Sequence, residues 1–230
     1  MKIQGFLKLT LLDYPERTAC TVFTPGCNLR CPFCHNASLV MRSEENEDIP
    51  EEEVFSYLKK RCGILDGVCI TGGEPMLQPD LEDFIRQIHS MGFLVKLDTN
   101  GTFPGRLKAF LDKGLLDYVA MDIKSSPEHY GLAAGVDGFD IQAVKESVSI
   151  LKNSSISYEF RTTVVKGIHV MEDFTSIGKW LAGSEKYYLQ SFVDSGDMIS
   201  GGFAGFSREE MELLLQIVLP FVPETRLRGI

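Results

Sequence analysis

The most informative stretch of the chain reads Thr18-Ala19-Cys20-Thr21-Val22-Phe23-Thr24-Pro25-Gly26-Cys27-Asn28-Leu29-Arg30-Cys31-Pro32-Phe33-Cys34-His35-Asn36. Its first part is rich in β-branched and aromatic residues and stops at Pro25-Gly26, which predicts a strand. A loop with cysteines at C-x3-C-x2-C spacing leaves the C-terminal end of that strand directly. Three thiolates are one short of the four that hold an ordinary iron–sulfur cluster or a closed structural zinc site. A metal held by three thiolates keeps one coordination position open, and an open position is where chemistry happens. The loop therefore points to a reactive centre carried on the carboxyl edge of a strand.

Working outward, the same alternation repeats. Upstream, Ile3 to Leu12 is a mixed apolar and polar segment closing at the proline-based turn Asp13-Tyr14-Pro15-Glu16. Downstream, Ser43 to Asp48 reads as a polar, acidic linker. Pro50-Glu51-Glu52-Glu53 then opens a helix with carboxylates facing the positive end of its dipole, and Val54, Leu58 and Cys62 recur on one face. Gly67-Val68-Cys69-Ile70-Thr71 is nearly all apolar, as expected for a strand buried on both faces of a parallel sheet, and it ends in Gly72-Gly73-Glu74-Pro75. Further helices are predicted over about 80–90, 105–113, 141–152, 172–181 and 208–219, and further strands over 93–98, 118–123, 157–165 and 186–192.

Helix-separated strands joined by short loops require a parallel sheet with right-handed crossovers. Six such strands are too few for a closed eight-stranded barrel. The predicted fold class is therefore α/β, a partial (β/α)6 TIM-type barrel with parallel strands, occupying residues 1–230 as a single domain. An open dinucleotide-binding sheet competes with it, but the first strand lacks the glycine fingerprint that such a sheet carries. Two polar, glycine-rich connections, from Ser125 to Gly138 and from Asp194 to Gly202, are long enough to be functional or mobile.

Composition limits the function classes. With 44% hydrophobic and 24% charged residues in a 230-residue chain, a soluble globular protein with one large core is expected. Lysine and arginine total 23 against 32 acidic residues, a formal charge of −9, and no basic tract tracks a phosphate backbone, so nucleic acid is excluded as a partner. No run of about 18 apolar residues exists to span a membrane; the apolar stretch Met211 to Val222 is broken by Glu212, Gln216 and Pro220. The start of the chain has no secretory pattern, so a cytoplasmic location is expected. In that reducing compartment clustered cysteines serve as metal ligands or catalysts, and the remaining Cys20, Cys62 and Cys69 read as buried free thiols.

The polar residues fall at strand ends. The cysteine loop, Gly72-Gly73-Glu74-Pro75, Asp98-Thr99-Asn100-Gly101, Asp122 with Lys124, and Arg161 all lie at or toward the carboxyl ends of predicted strands, the active face of barrel enzymes. Each piece alone is also explained as a turn or a helix cap. Taken jointly beside a three-cysteine loop, they are complementary chemistry. Adjacent glycines leave backbone open to a ligand, Glu74 and Asp98 offer carboxylates to an amine or cation, and Lys124 and Arg161 offer partners to a carboxylate. A zwitterionic amino-acid head group beside an open iron satisfies all of them.

On these residues the sequence resembles the radical S-adenosylmethionine superfamily. Cys27, Cys31 and Cys34, with aromatic Phe33 before the last cysteine, followed by Gly72-Gly73-Glu74-Pro75, match its signatures in the expected order. Gly26 to Asn36, Asp98-Thr99-Asn100-Gly101 and Met121-Asp122-Ile123-Lys124 look like the glycyl-radical-enzyme activases. Leu11-Leu12-Asp13-Tyr14-Pro15 and the short length look most like activating proteins of anaerobic ribonucleoside-triphosphate reductase. The resemblance implies a 4Fe-4S cluster on Cys27, Cys31 and Cys34, with S-adenosyl-L-methionine chelating the fourth iron. It implies one-electron cleavage of the sulfonium to methionine and a 5′-deoxyadenosyl radical, which takes hydrogen from a glycine of a partner glycyl radical enzyme. Gly73 and Glu74 are then expected at the methionine amino group with Asp98 near it, and Lys124 and Arg161 at its carboxylate. Phe33, Gly72, Pro75 and Asn100 complete the expected cofactor contacts. A monovalent cation near Asp98, Thr99 and Asp122 is a further implication, as is a flavodoxin or ferredoxin as electron donor.

Departures from the family pattern also carry information. Where the pyruvate formate-lyase activase has a histidine at the end of the sixth strand, this chain reads Leu189-Gln190-Ser191-Phe192, which transfers ribose contacts to Gln190. No second cysteine cluster lies between Cys34 and Gly72, so auxiliary clusters are expected to be absent. His35 is read as a neighbour of the cluster in preference to a ligand. Two other functions stand beside the activase: a radical enzyme acting on a small molecule, such as 7-carboxy-7-deazaguanine synthase, and a non-enzymatic metal-binding or electron-transfer protein in which Cys20 or His35 supplies the fourth ligand.

Overall fold

The computed structural model describes residues 1–41, 44–194 and 196–230. The acidic linker and the second polar connection expected from the sequence extend over Ser43 and Ser195, which lie outside the described residues.

The chain opens with β1 (Gly5–Thr10) and β2 (Ala19–Thr24), followed by α1 (Ala37–Met41), α2 (Glu51–Lys59) and β3 (Gly67–Gly72). A 3-10 turn at Pro75–Leu77 leads to α3 (Leu81–Ser90), β4 (Leu94–Thr99), α4 (Pro104–Asp112) and β5 (Tyr118–Asp122). Then come α5 (Tyr130–Ala134), α6 (Gln142–Lys152), β6 (Ser157–Lys166), α7 (Met171–Leu181) and β7 (Tyr187–Ser191). The last elements are β8 (Ala204–Gly205), α8 (Arg208–Val218) and β9 (Thr225–Arg228).

The sheet runs β1-β2-β3-β4-β5-β6-β7-β9, with β8 paired to β6. From β2 to β7 the strands are parallel and spatially adjacent in chain order. A dinucleotide-binding sheet reverses its strand order at a switch point. This sheet does not reverse, so it winds in one direction as a barrel does, and it stays open because β1 and β9 end the path. The partial barrel expected from six βα units is what the chain forms.

Two edge strands depart from the expectation. The segment read as mixed is β1, antiparallel to β2 with a bulge between Leu7 and Thr10, and β9 adds a parallel strand beyond β7. Period-two alternation sends one face of each central strand to the helices and the other to the barrel interior. On the helix side, Val22, Val68, Ile70, Val95, Leu97 and Val119 are fully buried against residues such as Phe84, Ile85 and Ile88 of α3. Each such side chain contributes about 1.5–3 kcal/mol by leaving water. On the interior side, Tyr14 packs with Ala19, Tyr118 and Ala120 as a separate small cluster. A Cβ on Gly67 would stand 2.9 Å from the Tyr14 ring and 2.7 Å from Leu94 O, so glycine is required where that ring plugs the amino-terminal end. With that end filled by apolar groups, the open end lies at the carboxyl edge, where the cysteine loop emerges.

Candidate active site

At that carboxyl edge lies a cavity of about 240 Å³. It is lined by Cys27, Cys31, Cys34, Phe33, Gly72, Gly73, Asp98, Asn100, Lys124, Arg161 and Gln190 among the residues expected from the sequence. Asp122 and Thr99, named as neighbours of a cation, line it too, together with His35, Asn36, Thr71 and Thr163.

Two of the expected contacts are placed elsewhere. Glu74 is fully buried away from the cavity; its Oε1 accepts from Met76 N–H (3.0 Å) and Thr99 Oγ1–H (2.9 Å), and its Oε2 from Asn100 N–H (2.7 Å). The carboxylate expected to meet a ligand amine instead ties the loop after β3 to the loop after β4. Pro75 starts the 3-10 turn behind it. Burial pushes the Glu74 carboxyl up to about 7, against these donors, which pull it down.

The cysteine loop is stitched in place by backbone. Glu74 N–H donates to Gly26 O (2.7 Å), Gly73 N–H to Thr24 O (2.8 Å), and the Gln78 side-chain Nε2 to Pro25 O (2.9 Å). A Cβ on Gly73 would lie 1.8 Å from Gly26 O, an impossible approach, so the second glycine of the Gly-Gly-Glu-Pro turn is needed for the two loops to touch. On the other side Arg30 N–H bonds Ala134 O, and a Cβ on Gly135, whose φ is +65°, would lie 2.0 Å from Arg30 O. The loop is thus clamped between the turn after β3 and the end of α5.

Another part of the lining is a ladder of charges. Lys96 Nζ donates to Asp98 Oδ1, Arg161 Nη1 to Asp98 Oδ2 (3.2 Å), Arg161 Nε to Asp122 Oδ1 (3.0 Å), and Lys124 Nζ to Asp122 Oδ2 (3.0 Å). The register explains it: Asp122 and Arg161 are direct cross-strand partners, while Lys96 and Asp98, two apart on β4, share a face. Burial works against both carboxylates, yet Arg161, with Lys96 at Asp98 and Lys124 at Asp122, holds them below the usual carboxylate range. Lys124 stays charged because Asp122 outweighs its burial. Its backbone is fixed by His169, whose Nδ1 accepts from Val165 N–H (3.0 Å), leaving Nε2 to donate to Lys124 O (2.8 Å). The cation in contact with Asp98 and Asp122 is thus Arg161 of the chain itself.

Lys96 is not among the strand-end residues that the sequence singles out, although a lysine two residues before Asp98 inside an apolar strand signals a buried partner on the same face. The brace that Asn28 and Thr102 give Asn100 has no sequence signal, because the Asn28 bonds join positions 72 and 74 residues apart and follow no period.

The donor set fits an iron–sulfur cluster. Three cysteines line one cavity, and Cys31, at 7% exposure, has its thiol pushed up by burial to about 12, so that a metal must supply the driving force for its deprotonation. Among the described residues no three Cys, His, Asp or Glu side chains converge closely enough for a single metal ion. No helix among them is long and apolar enough to cross a membrane.

Comparison with known proteins agrees with this geometry. The profile described as Radical SAM superfamily matches residues 21–180. The chain belongs to the radical SAM superfamily and is an enzyme of radical chemistry, a class whose chemistry rests on an iron–sulfur cluster and S-adenosylmethionine. A protein of Methanocaldococcus jannaschii with the provisional name glycyl-radical enzyme activating enzyme MJ1227 is 32% identical over 83% of this chain and 79% of its own length. A 7-carboxy-7-deazaguanine synthase of Methanopyrus kandleri is 27% identical over 86% of this chain and 84% of its own. Relatives named probable GTP 3′,8-cyclase also match; this chain spans 47% of the one from Thermococcus kodakarensis, at 33% identity over 64% of this chain. Among solved structures, Streptococcus suis SuiB bound to precursor peptide SuiA superposes with a TM-score of 0.71 at 12% identity, over 91% of this chain and 48% of SuiB, a likeness of fold.

Proposed function

We propose that this protein is a glycyl-radical-enzyme activase, and that its partner is an anaerobic ribonucleoside-triphosphate reductase. Cys27, Cys31 and Cys34 hold the cluster in this reading. When bound, the cluster supplies one electron to the sulfonium of S-adenosylmethionine, which generates the hydrogen-abstracting radical. The observation that carries the reading is that the charge ladder and the three thiols line one cavity. Asp98 receives the ligand's amino group, Lys124 and Arg161 its carboxylate, and the backbone of Gly72 and Gly73 forms the floor. Phe33 and Gln190 shape the cavity beside the cluster loop. The protein's own work is to bind, orient and exclude water. A monovalent cation near Asp98, Thr99 and Asp122 belongs to this reading only as a competitor of the Arg161 guanidinium.

The relative with the activase name, matched over most of both chains, supports a protein glycine as hydrogen donor. We read residues 1–230 as one radical SAM domain, working in the cytoplasm with a flavodoxin or ferredoxin as electron donor. The second reading, a small-molecule enzyme akin to 7-carboxy-7-deazaguanine synthase, is favoured by the match that spans 86% of the chain. One experiment separates them. Reconstituted, reduced protein is incubated with S-adenosylmethionine and a purified anaerobic reductase, and the partner is examined by electron paramagnetic resonance. A glycyl radical signal is expected. Formation of 5′-deoxyadenosine without that signal moves the assignment to a small molecule, and no 5′-deoxyadenosine from an intact cluster overturns both.

A further inference from the structure

The three thiols differ in what surrounds them. Cys27 Sγ accepts from Leu29 N–H (3.4 Å) and from the side-chain amide of Asn100 (Nδ2, 3.7 Å). Among the described residues, neither Cys31 nor Cys34 accepts a hydrogen bond at sulfur. The amide of Asn100 is not free to choose its orientation. Its Oδ1 accepts from Thr102 N–H (3.0 Å) and from Thr102 Oγ1–H (2.6 Å). Two donors on one oxygen fix that atom as the carbonyl and turn Nδ2 the other way. One Nδ2 hydrogen then goes to Asn28 Oδ1 (2.9 Å), which leaves the second for Cys27 Sγ. Asn28 Nδ2 donates in turn to Thr102 Oγ1 (2.9 Å) and closes a ring of three side chains. Asn100 itself is 5% exposed, so water does not compete for the amide.

We infer that Asn100 tunes the reduction potential of the iron–sulfur cluster by donating an N–H···S hydrogen bond to its Cys27 ligand. The inference rests on the proposal that Cys27 is a cluster ligand. A hydrogen bond to a coordinating thiolate withdraws electron density from the metal and favours the reduced state, so the potential rises. Asn100 is here a positioning residue: it touches a ligand, and the ring with Asn28 and Thr102 keeps its polarity from reversing. The bond also falls on one corner of the cluster, which makes the three iron ligands electronically unequal.

The test is a potentiometric titration of the reconstituted full-length protein without S-adenosylmethionine, read by electron paramagnetic resonance. Iron and sulfide are counted beforehand. Asn100→Leu removes the donor at similar volume, and its midpoint should fall by about 59 mV, a tenfold change in a one-electron equilibrium. Thr102→Val, which takes away one of the two donors fixing the amide, should lower the midpoint by less. Gln78→Ala cuts a different anchor of the cysteine loop, its bond to Pro25 O, and should leave the midpoint where it is. An Asn100→Leu midpoint equal to or above the wild type, or an equal fall in Gln78→Ala, overturns the inference. Where Asn100→Leu does not retain iron, Thr102→Val decides by the same criterion. Wild-type protein that assembles no cluster would instead overturn the ligand assignment on which the inference rests.

Discussion

Glu159 and Arg161 stand two residues apart on β6 and project from the same face of the strand, yet their surroundings are built to opposite ends. Glu159 is held by a bidentate pair with Arg228 of β9 (2.7 and 2.9 Å), accepts from Tyr118 Oη (2.9 Å), and its arginine lies 3.4 Å over the Tyr188 ring. Both Glu159 oxygens are engaged by the chain, and neither Glu159 nor Arg228 lines the cavity. Arg161, by contrast, spends two of its five donors on Asp98 and Asp122 and faces open space with the rest. Buried ion pairs are poor evidence of stability in themselves, because desolvation offsets their attraction. The closed pair therefore reads as a staple that fixes β9 to the open edge of the barrel. The incomplete ladder reads as a recognition surface that a ligand completes.

The largest effect should follow from Arg161→Met. It leaves Asp98 and Asp122 to share Lys96 and Lys124, and an uncompensated buried charge costs about 3–5 kcal/mol, measured as the change in urea unfolding free energy. S-adenosylmethionine affinity, measured by equilibrium dialysis on reconstituted protein, should drop at least tenfold. Lost stability with unchanged affinity would reduce the ladder to a second staple and end the contrast.

Arg228→Met should cost less, about 2 kcal/mol, because its side chain is 32% exposed and water replaces part of the pair. S-adenosylmethionine affinity should not change. Adding Glu159→Gln to it should recover part of the loss, since a double-mutant cycle separates the pair from the burden of a lone charge. A weaker affinity in Arg228→Met would show that the two regions are coupled through β6.

The sequence made the central strands and helices legible because each follows a period or ends at a glycine or proline signal. It made the thiols, Asp98, Asp122, Lys124 and Arg161 legible as strand-end chemistry. What it hid was edge structure and direction. Thr225-Arg226-Leu227-Arg228 has charges at alternate positions and no apolar run, so β9 exists only because β7 offers an open ladder. Residues Leu7 and Leu9 of β1 are exposed, the reverse of the pattern that marks a half-buried strand. Glu74 was read toward the ligand because its position after two glycines matches the motif; only the structure shows that Met76, Thr99 and Asn100 already fill its oxygens.

Glu74 also supplies the smallest and sharpest test of the contrast. It is a further buried carboxylate, but without a cation in contact, and it shifts the opposite way from Asp98 and Asp122. Its folded value of about 7 lies above the ordinary 4.5, so the folded state binds the proton more tightly than the unfolded chain. Its contribution to stability is fully present below the unfolded value and is lost as pH rises through the folded one. Asp122 has the reverse sign: its contribution is present above the ordinary carboxylate range and is lost only as acid reaches its depressed folded value. Unfolding free energies between pH 4.5 and 7 should therefore carry a downward component from Glu74 of at most about 1.4 kcal/mol per pH unit. In Glu74→Gln that component should vanish. The variant should be less stable throughout, because its NH2 would face the Asn100 N–H that now donates to Oε2. An unchanged pH slope in Glu74→Gln would mean that Met76, Thr99 and Asn100 keep Glu74 ionised without a cation. Hydrogen bonds alone would then suffice where the ladder uses Arg161.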